Sequence, residues 1–91
     1  MSVEIVTLKY PSLFLSSGED REYALKFVGR NIRRERTARL LSQEKLAASA
    51  GLEVGTVEEI EAGELNVRPE TLDRIRRAIG CSLSKLAGCY L

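Results

Sequence analysis

Apolar and polar positions along the chain change rhythm several times, and each change predicts an element. In VEIVTLKY, residues 3 to 10, Val3, Ile5 and Thr7 alternate with Val6, Leu8 and Tyr10, the period of a strand, which Pro11 and Ser12 end. From Ser16, Ser17 and Gly18 the rhythm lengthens: Glu19, Asp20 and Glu22 form an acidic first turn, and Leu25, Val28 and Ile32 recur at helical spacing. This predicts a helix running to Thr37 or Ala38, with Arg30, Arg33 and Arg34 off its buried stripe. Gly29 inside it is expected to weaken it mildly, by about 1 kcal/mol against alanine.

The stretch Leu41 to Gly63, LSQEKLAASAGLEVGTVEEIEAG, organises the rest. Ser42 is placed to cap a short helix whose apolar edge is Leu46 and Ala47, with Glu44 at its positive end. Gly51 stands where the chain must turn through positive φ, and Leu52 is the apolar residue that plugs the corner. A second helix is expected from about Glu53, with Val57 and Ile60 inward, Glu61 beside them, and Gly55, Glu59 and Ala62 on the other face. Two helices joined this way form a helix-turn-helix pattern.

Glu64 to Arg68 is a predicted loop. Pro69 and Glu70 then open a helix whose inward stripe is Leu72, Ile75 and Ile79 and which Gly80 ends, and Ser82 caps a last short helix carrying Leu83, Leu86 and Ala87. The expected fold is all-α, five helices preceded by a strand, with residues 1 to 17 as an N-terminal arm and residues 18 to 91 as the helical domain. An isolated strand needs a partner for its backbone groups. The arm is therefore either an unstructured leader or a segment that pairs with its copy in a dimer or with another chain. Apolar Leu13, Phe14 and Leu15 favour pairing.

Composition narrows the function classes. Ninety-one residues, 44% of them hydrophobic, suit one small domain with one core. A net charge of +1 makes no general case for nucleic acid, but local charge is uneven. Residues 30 to 39 carry five Arg and one Glu, whereas residues 43 to 64 carry six Glu and one Lys, so the helix-turn-helix is the acidic part. The chain has no His, and Cys81 and Cys89 lack metal-ligand spacing, so neither catalysis nor a metal or other cofactor is expected. Two isolated cysteines, no signal peptide and no long apolar run lead us to expect a cytoplasmic protein without membrane contact, its thiols reduced and at least half-buried.

The register of Ser42-Gln43-Glu44, Gly51, Ile60-Glu61, Gly63 and Pro69-Glu70-Thr71-Leu72 resembles the Cro and phage-repressor (XRE) helix-turn-helix family over residues 28 to 87. The resemblance implies a dimeric, sequence-specific, repressor-like regulator of transcription whose partner is double-stranded operator DNA. It implies that Gln43 anchors a phosphate from the start of the second helix, with Ser42 before it also among the DNA-binding residues. The reading positions would be Glu53, Val54, Gly55, Thr56, Glu58 and Glu59 on the third helix, flanked by Asn66 and Arg68. It also implies that Arg36, which falls on the apolar stripe, pairs with Glu61, the alternative being an exposed arginine.

Three departures from the family pattern matter. Glu35 and Leu40 replace a more usual apolar residue and a glycine, so the first helix is expected to end differently. The reading helix is acidic where relatives carry neutral or basic groups. A carboxylate about 8 Å from a phosphate in near-water dielectric costs roughly 0.5 kcal/mol, so Glu53, Glu58 and Glu59 together weaken binding roughly tenfold without forbidding it. Glu59 can accept from cytosine N4, Val54 can touch a thymine methyl, and Thr56 can reach a phosphate or base. The same face also suits a second role, in which the third helix meets a basic protein surface and DNA binding is weak or absent.

Overall fold

The computed structural model describes residues 18 to 88, and within them five helices follow the predicted order. They are α1 (Gly18–Ala38), α2 (Gln43–Ala50), α3 (Val54–Glu61), α4 (Pro69–Ile79) and α5 (Leu83–Ala87). The strand expected over residues 3 to 10, the arm as a whole and Cys89 lie outside the described residues.

The core is built from one stripe of each helix. Ile32 of α1, Leu46 of α2, Val57 of α3, Ile75 of α4 and Leu86 of α5 are its most deeply buried large side chains. Around them α1 packs on α3 and α5, while α2 packs on α3 and α4, so α3 is held from two sides. The stripe of α1 is Ala24, Val28 and Ile32, with polar Asn31 and Arg36 buried beside it. Leu25, expected on that stripe, is only half-buried.

The predicted turn is present. Gly51 takes φ 72°, its amide bonds back into α2, and the Leu52 amide donates to the Ala47 carbonyl at 2.8 Å, which seats Leu52 against the core. Arg74 of α4 locks the corner by donating to the carbonyls of Ala50 at 3.0 Å and Gly51 at 2.8 Å. Ser42 caps α2 as expected, its Oγ accepting from the Lys45 amide at 3.0 Å. Ser82 holds the N-cap position of α5 but makes no capping bond; its hydroxyl lies 3.1 Å from that of Ser84.

The end of α1 departs from the expectation in an instructive way. The helix closes with the hydrogen bonds usual around a C-terminal glycine, Leu40 N–H to Thr37 O at 3.0 Å and Leu41 N–H to Arg36 O at 3.1 Å. The residue in the left-handed position is Leu40, at φ 59°, the only non-glycine with positive φ among the described residues. The glycine-type turn is kept and a leucine occupies it.

Candidate nucleic-acid interface

The site is built on a buried ion pair. Arg36 Nε donates to Glu61 Oε2 at 2.6 Å and Arg36 Nη2 to Glu61 Oε1 at 3.0 Å, with the two side chains only 10% and 4% exposed. The remaining arm of the guanidinium, Nη1, donates to the Leu41 carbonyl at 2.7 Å. Glu61 Oε1 also accepts from Gln43 Nε2 at 3.0 Å. One charge pair thus ties together α1, the turn after it, the first residue of α2 and the last residue of α3. Such a pair adds little net stability, but it fixes geometry because leaving either charge alone is costly.

The geometry it fixes is an open groove of about 290 Å³ lined by Arg33, Arg36, Gln43, Glu58, Glu61 and Ala62. Gln43 is half-buried there, with its amide already engaged by Glu61, so its orientation is set before any ligand arrives. A second groove of about 280 Å³ on the other flank of α3 contains Thr56, Asn66 and Arg68. Of the residues expected to contact DNA, Gln43 and Glu58 therefore line one flank of α3, and Thr56, Asn66 and Arg68 the other. On its outward face Glu53, Gly55, Glu58 and Glu59 are exposed, and Val54 and Thr56 are half-buried. A Cβ built on Gly55 would meet nothing within 4 Å, so this part of the helix is open to close approach.

Among the described residues neither Glu58 nor Glu59 has an ion-pair partner, and both are exposed. Arg33 is exposed and equally without an ion-pair partner there. Its place in the groove with Gln43 and Glu58 was not legible from helical periodicity, which shows only that Arg33 leaves the buried stripe.

Two further polar residues shape the scaffold. Asn31 is buried, its Nδ2 donating to the Leu86 carbonyl at 2.8 Å while its Oδ1 accepts from Arg34 Nη1 at 2.8 Å, which pins α5 to α1. The signal was available, since Asn31 stands three residues after Val28 and next to Ile32. Glu35 accepts from Arg39 Nη1 at 2.8 Å and from Arg34 at 3.3 Å, and the Arg39 hydrogen bond foremost holds its carboxyl below the usual range. Burial pushes the half-buried Cys81 thiol up, away from reactive thiolate. Among the described residues no group of side chains is placed to hold a metal ion, and no helix is long and apolar enough to cross a membrane.

Comparison with known proteins agrees with this fold. The family model for helix-turn-helix matches residues 32 to 86. Among solved structures, the crystal structure of the restriction-modification controller protein C.AhdI from Aeromonas hydrophila is similar. It shares 34% identity over 68% of this chain and 94% of that one, with a TM-score of 0.67. Curated proteins gave no significant match.

Proposed function

The chain belongs to the helix-turn-helix family, and on that premise we propose that it is a transcription regulator that binds operator DNA sequence-specifically as a dimer. The observation that carries the reading is the anchoring of Gln43 by Glu61 and Arg36 at the start of α2, beside the exposed face of α3. An amide held in place at a helix N-terminus is a ready phosphate donor, because the helix end favours negative charge and no side-chain freedom remains to be lost. Ser42, Gln43 and Arg33 position the backbone on one flank, and Asn66 and Arg68 on the other. Between them Glu53, Val54, Gly55, Thr56, Glu58 and Glu59 face the base edges. The likeness to a restriction-modification controller extends the proposal to control of genes of that kind.

Selection from random DNA at low salt, followed by a shift assay with fragments from around the chain's own gene, tests the reading. Dimerisation is tested by light scattering of the full chain and of a form lacking residues 1 to 17, the proposed assembly arm. Loss of the arm is expected to lower the mass and leave helical circular dichroism intact; an unchanged mass would remove the arm from the account.

A second reading is favoured by one observation, the carboxylates of Glu58 and Glu59 on the outward face, which have no ion-pair partner among the described residues. In it α3 docks a basic protein surface. Binding of no DNA fragment at about 50 mM salt and micromolar protein, where phosphate-driven complexes normally form, would move the assignment to this reading.

A further inference from the structure

The end of α1 holds a residue that the fold itself does not explain. Leu40 sits at φ 59°, a conformation that is unfavourable for a side-chain-bearing residue and free for glycine. Its side chain gains little in return, since the residue is 91% exposed, far above the other exposed large hydrophobics among the described residues, Tyr23 at 60% and Leu65 at 38%. Backbone conformation and burial both argue that this leucine is worse for stability than glycine would be. The turn is nonetheless held firmly: the amides of Arg39, Leu40 and Leu41 bond back to Arg36 and Thr37, and Arg36 Nη1 grips the Leu41 carbonyl. What results is an apolar knob on a rigid stalk, two residues before the Ser42 cap and three before Gln43.

We infer that Leu40 is a DNA-contact residue, packing its isobutyl group against the deoxyribose edge of the strand whose phosphate lies at the start of α2. The inference rests on the DNA-binding reading above. Sugar faces between phosphates are apolar, and a leucine three residues before the proposed phosphate donor Gln43 would cover one without competing for the charge. Because the turn is already ordered, little conformational freedom is lost on contact. The contact adds affinity at every sequence, and it adds no ionic term.

The test uses the full chain carrying Leu40→Gly, Leu40→Asn or Leu40→Met, with a duplex selected from random DNA by the wild-type protein. Glycine and asparagine both accept the left-handed turn, so both variants are expected to melt at or above the wild-type temperature. Their affinity is expected to fall roughly fivefold, as when about 40 Å² of apolar surface stays in water. Leu40→Met is expected to bind within about twofold of wild type, as a swap that keeps apolar volume. The slope of log affinity against log salt should be the same for all of them, because no phosphate charge is lost. Glycine and asparagine variants that bind as tightly as wild type overturn the inference while leaving the DNA-binding reading intact, and so does a changed salt slope. A wild-type protein that selects no duplex overturns the reading itself, and Leu40 as a DNA contact with it.

Discussion

Gly29 of α1 passes so close to Glu61 of α3 that a Cβ built on the glycine would stand 2.7 Å from the Glu61 carbonyl oxygen, and nearer still to that of Ile60. Backbone cannot yield as a flexible side chain can. Helix propensity alone predicts that Gly29→Ala stabilises by about 1 kcal/mol. The crossing of α1 and α3 predicts the opposite, because overpacking against backbone costs about 1 to 3 kcal/mol and occasionally more. With the overpacking cost at the upper end of that range, because the neighbours are backbone, the expected outcome is a net loss of about 2 kcal/mol in urea unfolding, with the slope unchanged. A more stable variant would mean that the two helices part easily, and that Gly29 is only the weak helix residue it resembles in sequence.

The same crossing carries the Arg36–Glu61 pair, which should behave as one unit. Arg36→Met leaves a buried carboxylate with Gln43 as its remaining side-chain partner, and Glu61→Gln leaves a buried guanidinium short of charge. Each is expected to cost more than about 2 kcal/mol, and the double variant markedly less than their sum. Small, additive losses in the double-mutant cycle would contradict the burial of the pair.

Acid should release a different carboxylate. Glu35 has its pKa lowered from an ordinary value of 4.5, chiefly by the Arg39 hydrogen bond. A depressed folded value means that its contribution is fully present above the ordinary value and is lost as pH falls through the lowered one. Wild type should therefore exceed Glu35→Gln in stability at pH 7, and the difference should close as the pH falls below 4.5 and through the lowered value. A gap that persists into strong acid would place the stabilisation in packing rather than charge.

These residues also mark how far the sequence could be read. The helices, the Gly51 turn and the Leu72, Ile75 and Ile79 stripe follow from local rules, because capping, periodicity and positive φ depend on a few neighbouring residues. Helix propensity shows only the local cost of Gly29, because its close approach to the backbone of α3 lies across space. Leu40 was expected to alter the end of α1; the hydrogen bonds of the turn instead impose the left-handed position on whatever residue falls there. For the site, the sequence placed Gln43, Thr56, Asn66 and Arg68 on the right elements. The entry of Arg33 into one groove depends on how α1 meets α3, and the other groove on how the loop after α3 packs back beside it, so neither has a local signature.

The acidic face of α3 decides between the two functional readings. If DNA lies along it, Glu58 and Glu59 stand near phosphates, and replacing both with Gln removes repulsion worth about 1 kcal/mol in total. Affinity for nonspecific DNA should then rise roughly fivefold. Affinity for the selected operator need not rise, because Glu59 also forfeits any contact to cytosine N4, worth about 1 to 3 kcal/mol of discrimination. The ratio of specific to nonspecific binding should fall. Arg33→Ala, across the groove from Glu58, is expected to act in the opposite sense, weakening all sequences alike and reducing the salt slope by about one. Opposite shifts from the two changes would locate the phosphate path along this groove. If α3 serves a basic protein surface instead, both variants should leave DNA binding undetectable at low salt, and only the glutamate change should abolish capture of that partner. The path of DNA along α3, though not DNA binding itself, is overturned if neither variant moves the affinity of a duplex that the wild-type protein does bind, because the groove between α1 and α3 would then lie away from the nucleic acid.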